Sequence, residues 1–236
     1  MVSSKLPVYL QIHDAIKNKI ANGYWNVGDR LPSERELSEV FGVSRMTLRQ
    51  AIQTLADEGI LERKVGSGTY VARKKVKETM IGTTSFSKIV SAQGSVPSSK
   101  TMSYFVTKPS SSEMERLNIG KDEEIIKMER IRYADDIPIC FEVASIPYHI
   151  IQDFDKHEIT QSLYTVLDKN SNKRIGKSSQ TISALIASEK IAEYLDIKKG
   201  DAVLRLRQVS YFTDGEPFEY VRSQYVGERF EFYLEK

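Results

Sequence analysis

Three observations in the 236-residue sequence predict an α+β chain in two parts. Two helical segments with capping signals meet at Phe41-Gly42-Val43, and a glycine-tipped hairpin follows at Gly66-Ser67-Gly68. From Tyr104 onward, strand-like segments alternate with short helical ones. Helix, tight turn, helix and hairpin in that order make a winged helix-turn-helix. The later pattern makes an antiparallel sheet with helices inserted between its strands.

In the first part, Tyr9, Ile12, Ile16 and Ile20 recur at spacings of three and four, the core face of a helix. Ser33 follows a proline and stands three residues before Glu36, a capping box that starts a second helix running to about Val40. Gly42 is free to take positive φ in the turn. Ser44 caps a third helix with Leu48, Ala51, Ile52 and Leu55 on one face. Arg49 and Gln50 lie off that stripe, Arg45 and Arg49 are one turn apart, and no acid occurs between Ser44 and Ala56. Such a face suits a major groove, because arginine donates two hydrogen bonds to guanine O6 and N7. Residues 60–65 and 69–73 read as the wing strands. Glycines at their tip permit primed turns and leave bare amides free to approach a phosphate. Arg63, Lys64, Arg73, Lys74 and Lys75 surround that tip.

Charge supports the division. Residues 1–75 hold 12 Lys/Arg against 8 Asp/Glu, whereas the remainder holds 22 against 24. A basic excess confined to one part is an electrostatic footprint for nucleic acid, and its small size implies that tight binding needs two copies. The single Cys140 excludes an intrachain disulfide and fits a reducing cytoplasm. The sequence has no leader-like start and no apolar run of membrane-spanning length. Three histidines and one cysteine make no metal set, and neither a P-loop nor a dinucleotide fingerprint is present. No metal or cofactor is expected.

The composition turns charged near Lys74, so the sequence predicts domains at 1–75 and 83–236 with a linker at 76–82. Tyr104–Thr107, Glu124–Tyr133, Ile139–Ile146, Lys177–Ile186, Val203–Thr213 and Pro217–Val226 read as strands. Asp135-Asp136 and Asp214-Gly215 read as turns between them. Ser110, Ser162 and Ser188 each read as a helix start.

Two features suggest a ligand site. Ile126, Met128, Arg130 and Arg132 alternate onto one strand face, where two adjacent guanidiniums need an anion; phosphate suits them, and Glu129 or Glu142 are internal alternatives. Glu219, Val221, Ser223 and Tyr225 share a face of the last hairpin, where a carboxylate and a phenol suit sugar hydroxyls; a salt bridge to Arg222 is the alternative.

Residues 8–71 resemble the DNA-binding domain of the GntR family of bacterial transcription regulators. The resemblance rests on Leu31-Pro-Ser-Glu-Arg-Glu-Leu, Ser44-Arg-Met-Thr-Leu-Arg-Gln-Ala, Leu55-Ala-Asp-Glu-Gly and Gly66-Ser-Gly-Thr-Tyr-Val. It implies DNA contacts at Arg35, Arg45, Thr47, Arg49 and the wing (Lys64, Gly66, Ser67, Gly68 and Thr69), with Ser33 and Ser44 near phosphates. Residues 80–234 resemble the UTRA-type effector domain of the HutC branch, a chorismate-lyase-like fold used as a sensor. The segments are Gly82-Thr-Thr-Ser-Phe, Ile131-Arg-Tyr-Ala-Asp-Asp-Ile-Pro, Glu142 before Ile146-Pro147, Ser162-Leu-Tyr, and Phe218-Glu219 with Tyr225. Within the branch the likeness is greatest to repressors of N-acetylglucosamine utilisation. It implies that a loop at Phe86 and Ser87, with Arg130 and Arg132 and the intervening Ile131, holds a sugar phosphate. Glu142, Ser162, Leu163, Tyr164, Glu219 and Tyr225 would hold the sugar ring. One departure is Ser91-Ala-Gln-Gly, which lacks the usual basic residue before the glycine.

The resemblance thus implies a cytoplasmic homodimeric repressor on a pseudo-palindromic operator, released by glucosamine 6-phosphate or N-acetylglucosamine 6-phosphate. The rivals are a sensor of another phosphosugar, such as trehalose 6-phosphate or a glycated amino-acid phosphate, and a lyase-like enzyme. Against the enzyme, the sequence offers no nucleophile–base pair.

Overall fold

The computed structural model describes residues 6–80, 82–170 and 172–235. Two compact units meet in sequence at Lys74 and Lys75.

The first unit holds α1 (Val8–Ala21), α2 (Glu34–Phe41), α3 (Arg45–Asp57), β1 (Leu61–Lys64) and β2 (Gly68–Val71). The capping box forms as expected: Ser33 Oγ accepts from the Glu36 amide at 3.2 Å, and Glu36 accepts from the Ser33 amide at 2.8 Å. Gly42 ends α2 at φ 64°, and Ser44 caps α3. The α3 stripe is wholly buried with Ile12, Ile16, Trp25 and Leu61. The wing pairs Leu61 with Val71 through Lys64 with Gly68, and the segment before α2 joins β2 through Leu31 N to Thr69 O at 2.8 Å. At the tip, Ser67 N donates to Lys64 O, and of the two central residues only Gly66 has positive φ, 72°. That is the type II pattern and not the primed turn expected, because Val65, with a Cβ, avoids positive φ.

The second unit opens with β3 (Val76–Thr79), so most of the expected linker 76–82 is a strand, paired parallel with a C-terminal strand at Phe230–Tyr233. Its inward positions are Val76 and Glu78; a buried acid erased the apolar alternation that would have marked it. Residue 81 of that segment, like 1–5 and 236, lies outside the described residues. Next comes α4 (Phe86–Ala92), capped by Ser85, which corrects the loop expected at Phe86 and Ser87. The order continues β4 (Pro97–Thr107), α5 (Ser111–Leu117), β5 (Ile125–Ala134), β6 (Ile137–Pro147), α6 (Tyr148–Ile151) and α7 (Lys156–Asn170). It ends β7 (Ile175–Ile186), α8 (Glu189–Leu195), β8 (Ala202–Phe212), β9 (Pro217–Val226) and β10 (Phe230–Tyr233). Asp135 and Asp136 both take positive φ, 50° and 62°, as a type I′ hairpin requires. The expected cap at Ser162 is present, but inside a longer helix. Ser162 is extended (φ −161°, ψ 97°), and its Oγ accepts from the Thr165 amide at 3.4 Å.

β4-β5-β6-β9-β8-β7 form one antiparallel sheet. Its two faces are covered differently. Odd residues of β5 join α5 and α8, as Ile131 does with Phe141 and Ile191. Even residues face α7, α4 and the β3–β10 pair, and this face carries the polar cluster described next.

Candidate DNA interface and ligand cavity

In the first unit, Arg45, Met46, Arg49 and Gln50 are exposed on α3, with Thr47 half-buried. Arg45 makes no ion pair among the described residues. Arg49 does: its Nε lies 3.2 Å from Glu34 Oε2, while the other Glu34 oxygen holds Arg63 Nη2. The acid-free reading of α3 holds along the helix and fails in space, since Glu34 comes from α2. Exposed pairs of this kind contribute roughly 0–1 kcal/mol, so a base or phosphate competes with them readily. Arg35 is similarly paired with Glu39 at 3.2 Å. In the wing, Lys64 lies 3.6 Å from Glu62 and over the Tyr70 ring, and Ser67 Oγ is 2.6 Å from Tyr70 OH. A Cβ on Gly68 would stand 2.8 Å from Arg30 Nε, so this glycine makes room for the Arg30 side chain, whose backbone bridges Tyr70 of the wing. Sequence reasoning missed both Glu34 and Arg30.

In the second unit, a cavity of about 60 Å³ opens on the even face of the sheet. Phe86, Arg130, Arg132 and Glu142 line one side; Ser162, Leu163, Tyr164, Glu219 and Tyr225 line the rest. Two expected members are placed differently. Ile131 points to the opposite face, because neighbouring strand residues alternate. Ser87 is reached only through Arg132, whose Nη2 donates to Ser87 Oγ at 2.9 Å. Val221 and Ser223, expected on the same face as Glu219 and Tyr225, also line the cavity, whereas Glu78, Ser85 and Gln208 line it and were not anticipated. Ser85 was legible as a cap before Phe86; Glu78 and Gln208 left no signal.

Both arginines are buried, at 4% and 3% exposure. Arg130 donates through Nε to Glu142 Oε1 at 2.7 Å and through Nη1 to the carbonyls of Thr160 and Ile159 at 2.7 and 3.3 Å. Those carbonyls belong to the turn that the break at Ser162 leaves without helical partners. Arg130 therefore caps the first half of α7 while pairing with Glu142. Arg132 stands 3.6 Å from Glu142, packs 4.8 Å over the Phe86 ring, and leaves its buried Nε with no hydrogen-bond partner among the described residues. Burial, then the Arg130 charge, pulls Arg132 below the usual arginine range. Burial would raise Glu142, but the two guanidiniums outweigh it and hold its carboxyl below the usual value. Two buried cations thus share one carboxylate, and one positive charge remains over.

The other side of the cavity has the opposite character. Tyr164 OH donates to Glu219 Oε2 at 2.9 Å and lies 2.7 Å from Ser210 Oγ. Gln208 Nε2 donates to Tyr164 OH and Ser210 Oγ at 3.1 and 2.9 Å, and Gln180 Nε2 donates to Gln208 Oε1 at 2.5 Å. The alternative salt bridge of Glu219 with Arg222 does not form among the described residues. Burial first, then the Glu142 charge, push Glu219 up to about 7. Burial likewise raises Glu78 to about 7 against the hydrogen bond from Gln180.

A helix with an arginine face, a wing, and a separate unit with a polar buried cavity make up the two parts of a DNA-binding regulator. Residues 8–71 match the model of the bacterial regulatory proteins of the gntR family, and residues 92–231 match the UTRA domain. The chain is 34% identical over 229 residues to the HTH-type transcriptional repressor NagR of Bacillus subtilis (strain 168), covering 97% of this chain and 94% of that protein. It is 31% identical to the mannosyl-D-glycerate transport/metabolism system repressor MngR of Escherichia coli (strain K12), covering 97% and 95%. A crystal structure of a GntR-family transcriptional regulator from Enterococcus faecalis V583 is 67% identical, with TM-score 0.57, over 59% of this chain and 100% of that one. The chain belongs to the GntR family, in its UTRA-bearing, HutC-type branch, and is a transcriptional repressor of that type and not an enzyme. Among the described residues no helix is long and apolar enough to cross a membrane.

Proposed function

We propose that the chain acts in the cytoplasm as a homodimer on a pseudo-palindromic operator and is released from it by a phosphorylated amino sugar. Each subunit places α3 in a major groove, Arg45 and Arg49 reading bases. Arg35, Thr47 and the wing from Lys64 to Thr69 add contacts, with Ser33 and Ser44 at helix N-termini near phosphates. In the cavity Arg132, over Phe86 and beside Ser87, takes the phosphate, and Arg130 adds its charge while holding the wall. Glu142, Ser162, Leu163, Tyr164, Glu219 and Tyr225 surround the sugar, glucosamine 6-phosphate or its N-acetyl form.

The observation that carries this reading is the surplus buried charge at Arg132 together with its unpartnered Nε. A buried ion without a full partner costs several kcal/mol, and a dianion with fork-matching oxygens repays it. The cavity of about 60 Å³ holds about five waters at ~10–15 Å³ each, less than a hexose phosphate fills. We infer that the ligand is released from or held in the cavity with movement of its walls, and a ligand that prefers the moved conformation meets the requirement for allosteric release.

Calorimetry with N-acetylglucosamine and its 6-phosphate tests the clamp. Each charge-assisted bond contributes about 1.5–3 kcal/mol, so the free sugar is expected to bind at least tenfold more weakly. Arg132→Ala is expected to keep operator binding and lose release by the phosphosugar. Equal affinity for free and phosphorylated sugar removes the clamp. A second reading is a sugar acid: MngR is a repressor named for mannosyl-D-glycerate, and a carboxylate also matches an arginine fork. Mannosylglycerate binding that survives where the phosphosugar fails favours it.

A further inference from the structure

Resting on the phosphosugar reading, we propose that Glu78 is a ligand contact that reads an ammonium group, so that the preferred effector is a sugar phosphate carrying a free amine. Glu78 is 7% exposed, points inward from β3 and lines the same cavity as Arg132 and Glu219. No cation pairs with it among the described residues. Its neighbour Lys77 is turned away, with Nζ 3.6 Å over the Tyr233 ring. The position of Glu78 is fixed, because the Gln93 amide of the α4 C-cap bonds the Lys77 backbone twice, each at 2.9 Å.

Counting donors leads to the ammonium. Gln180 bonds Glu78 and donates to Gln208; Gln208 donates to Tyr164 and Ser210; Tyr164 donates to Glu219. Glu78 and Glu219 are thus the two ends of one chain whose amide and phenol donors are already engaged. An ionised carboxylate offers about four acceptor sites, and Glu78 has one occupied by a side chain. Burial raises its carboxyl to about 7, opposed only by the hydrogen bond from Gln180 and by no cation. What the cavity lacks at this end is donors and positive charge. An ammonium brings three donors and the charge, a hydroxyl brings one donor, and an N-acetyl group brings one donor with an added carbonyl acceptor. With surplus cation at Arg132, the cavity is bipolar, and a phosphorylated hexosamine is bipolar in the same sense.

The test is calorimetry of glucosamine 6-phosphate, N-acetylglucosamine 6-phosphate and glucose 6-phosphate with the full chain, as wild type and Glu78→Gln. Wild type is expected to bind the amine about tenfold or more tightly than glucose 6-phosphate, the size of one charge-assisted bond. In Glu78→Gln that preference is expected to fall to about twofold or less. Wild-type titrations near pH 7 in two buffers of different ionisation enthalpy are expected to show more proton release with the amine than with glucose 6-phosphate. The latter releases only the small share from its own phosphate, whose second pKa is about 6. This arm needs no variant to fold. Equal binding of all three sugar phosphates, an amine preference that survives Glu78→Gln, or amine binding with no more proton release than glucose 6-phosphate overturns the inference and leaves the clamp standing. No binding by any of the three overturns the phosphosugar reading, and this inference with it.

Discussion

Replacing Glu219 by glutamine isolates the electrostatic cost built into the cavity. Glu219 is 3% exposed, and burial followed by the Glu142 charge moves its carboxyl from 4.5 to about 7. At pH values below 4.5 it is protonated in folded and unfolded chain alike and contributes nothing. Between 4.5 and about 7 the unfolded chain has released the proton and the folded chain retains it, so stability falls as pH rises, by ~1.4 kcal/mol per unit. Above that window both states are ionised and the fold carries the whole penalty, about 3 kcal/mol. Glutamine has the same shape and still accepts from Tyr164, but has no charge to bury. Glu219→Gln is therefore expected to match wild type near pH 4.5 and to exceed it by up to ~3 kcal/mol at pH 8. Glu78, also raised to about 7, keeps its own pH dependence in the variant, so the difference between the two proteins is the quantity to read. Urea unfolding followed by far-UV circular dichroism measures it. Fluorescence of the single Trp25, buried in the first unit, supplies a control signal. A difference that does not grow between pH 4.5 and 8 would refute the account of Glu219 as a carboxyl whose burial outweighs its hydrogen bond from Tyr164.

Two further substitutions separate roles within each unit. Arg49→Ala is expected to weaken operator binding by roughly 1–3 kcal/mol and relax sequence preference, since the exposed Glu34 pair it breaks is worth little. Titration against operator and scrambled DNA checks this, and equal losses on both end the base-reading role. Arg130→Ala is expected to destabilise the second unit by ~3–5 kcal/mol, because it strands the buried Glu142 and the carbonyls of Thr160 and Ile159. A denaturation midpoint close to wild type would show that water replaces the guanidinium there.

Local signals made much of the fold legible. The serines at 33, 44, 110 and 188 cap the helices they were expected to cap, and Asp135-Asp136 turns the hairpin it was expected to turn. Period-two alternation put Arg130 and Arg132 on the same face as Met128. What stayed illegible depends on contacts between distant segments. Glu34 reaches Arg49 and Arg63 across 15 and 29 positions, and no window of sequence reveals that one carboxylate serves a helix and a wing. β3 was unreadable because its partner β10 lies at the other end of the unit and its second inward residue is an acid. The α7 break was half legible: the cap at Ser162 marks a helix start, but Lys156–Gln161 before it carries no apolar stripe long enough to declare itself.

The same distant contacts decide what the arginine pair does. From sequence the two guanidiniums are equivalent, i and i+2 on one face. In the fold they are not. Arg130 spends its donors on Glu142 and on the carbonyls exposed by the α7 break, so it is committed to holding the wall of the cavity. Arg132 has Ser87 on one nitrogen, the Phe86 face beneath it and no partner for Nε. Glu142, expected among the sugar contacts, is held by Arg130 and neutralises one guanidinium of the two. The free charge and the free donor therefore both belong to Arg132, on the side of the cavity formed by α4. Glu78 has no cation beside it, and the burial of Glu219 outweighs its bond from Tyr164 and the pull of the guanidiniums, so both carboxyls are raised. On the proposed reading, a ligand that meets one side alone leaves the buried group on the other side unpaired, so the preferred effector carries an anionic and a cationic group on one rigid frame.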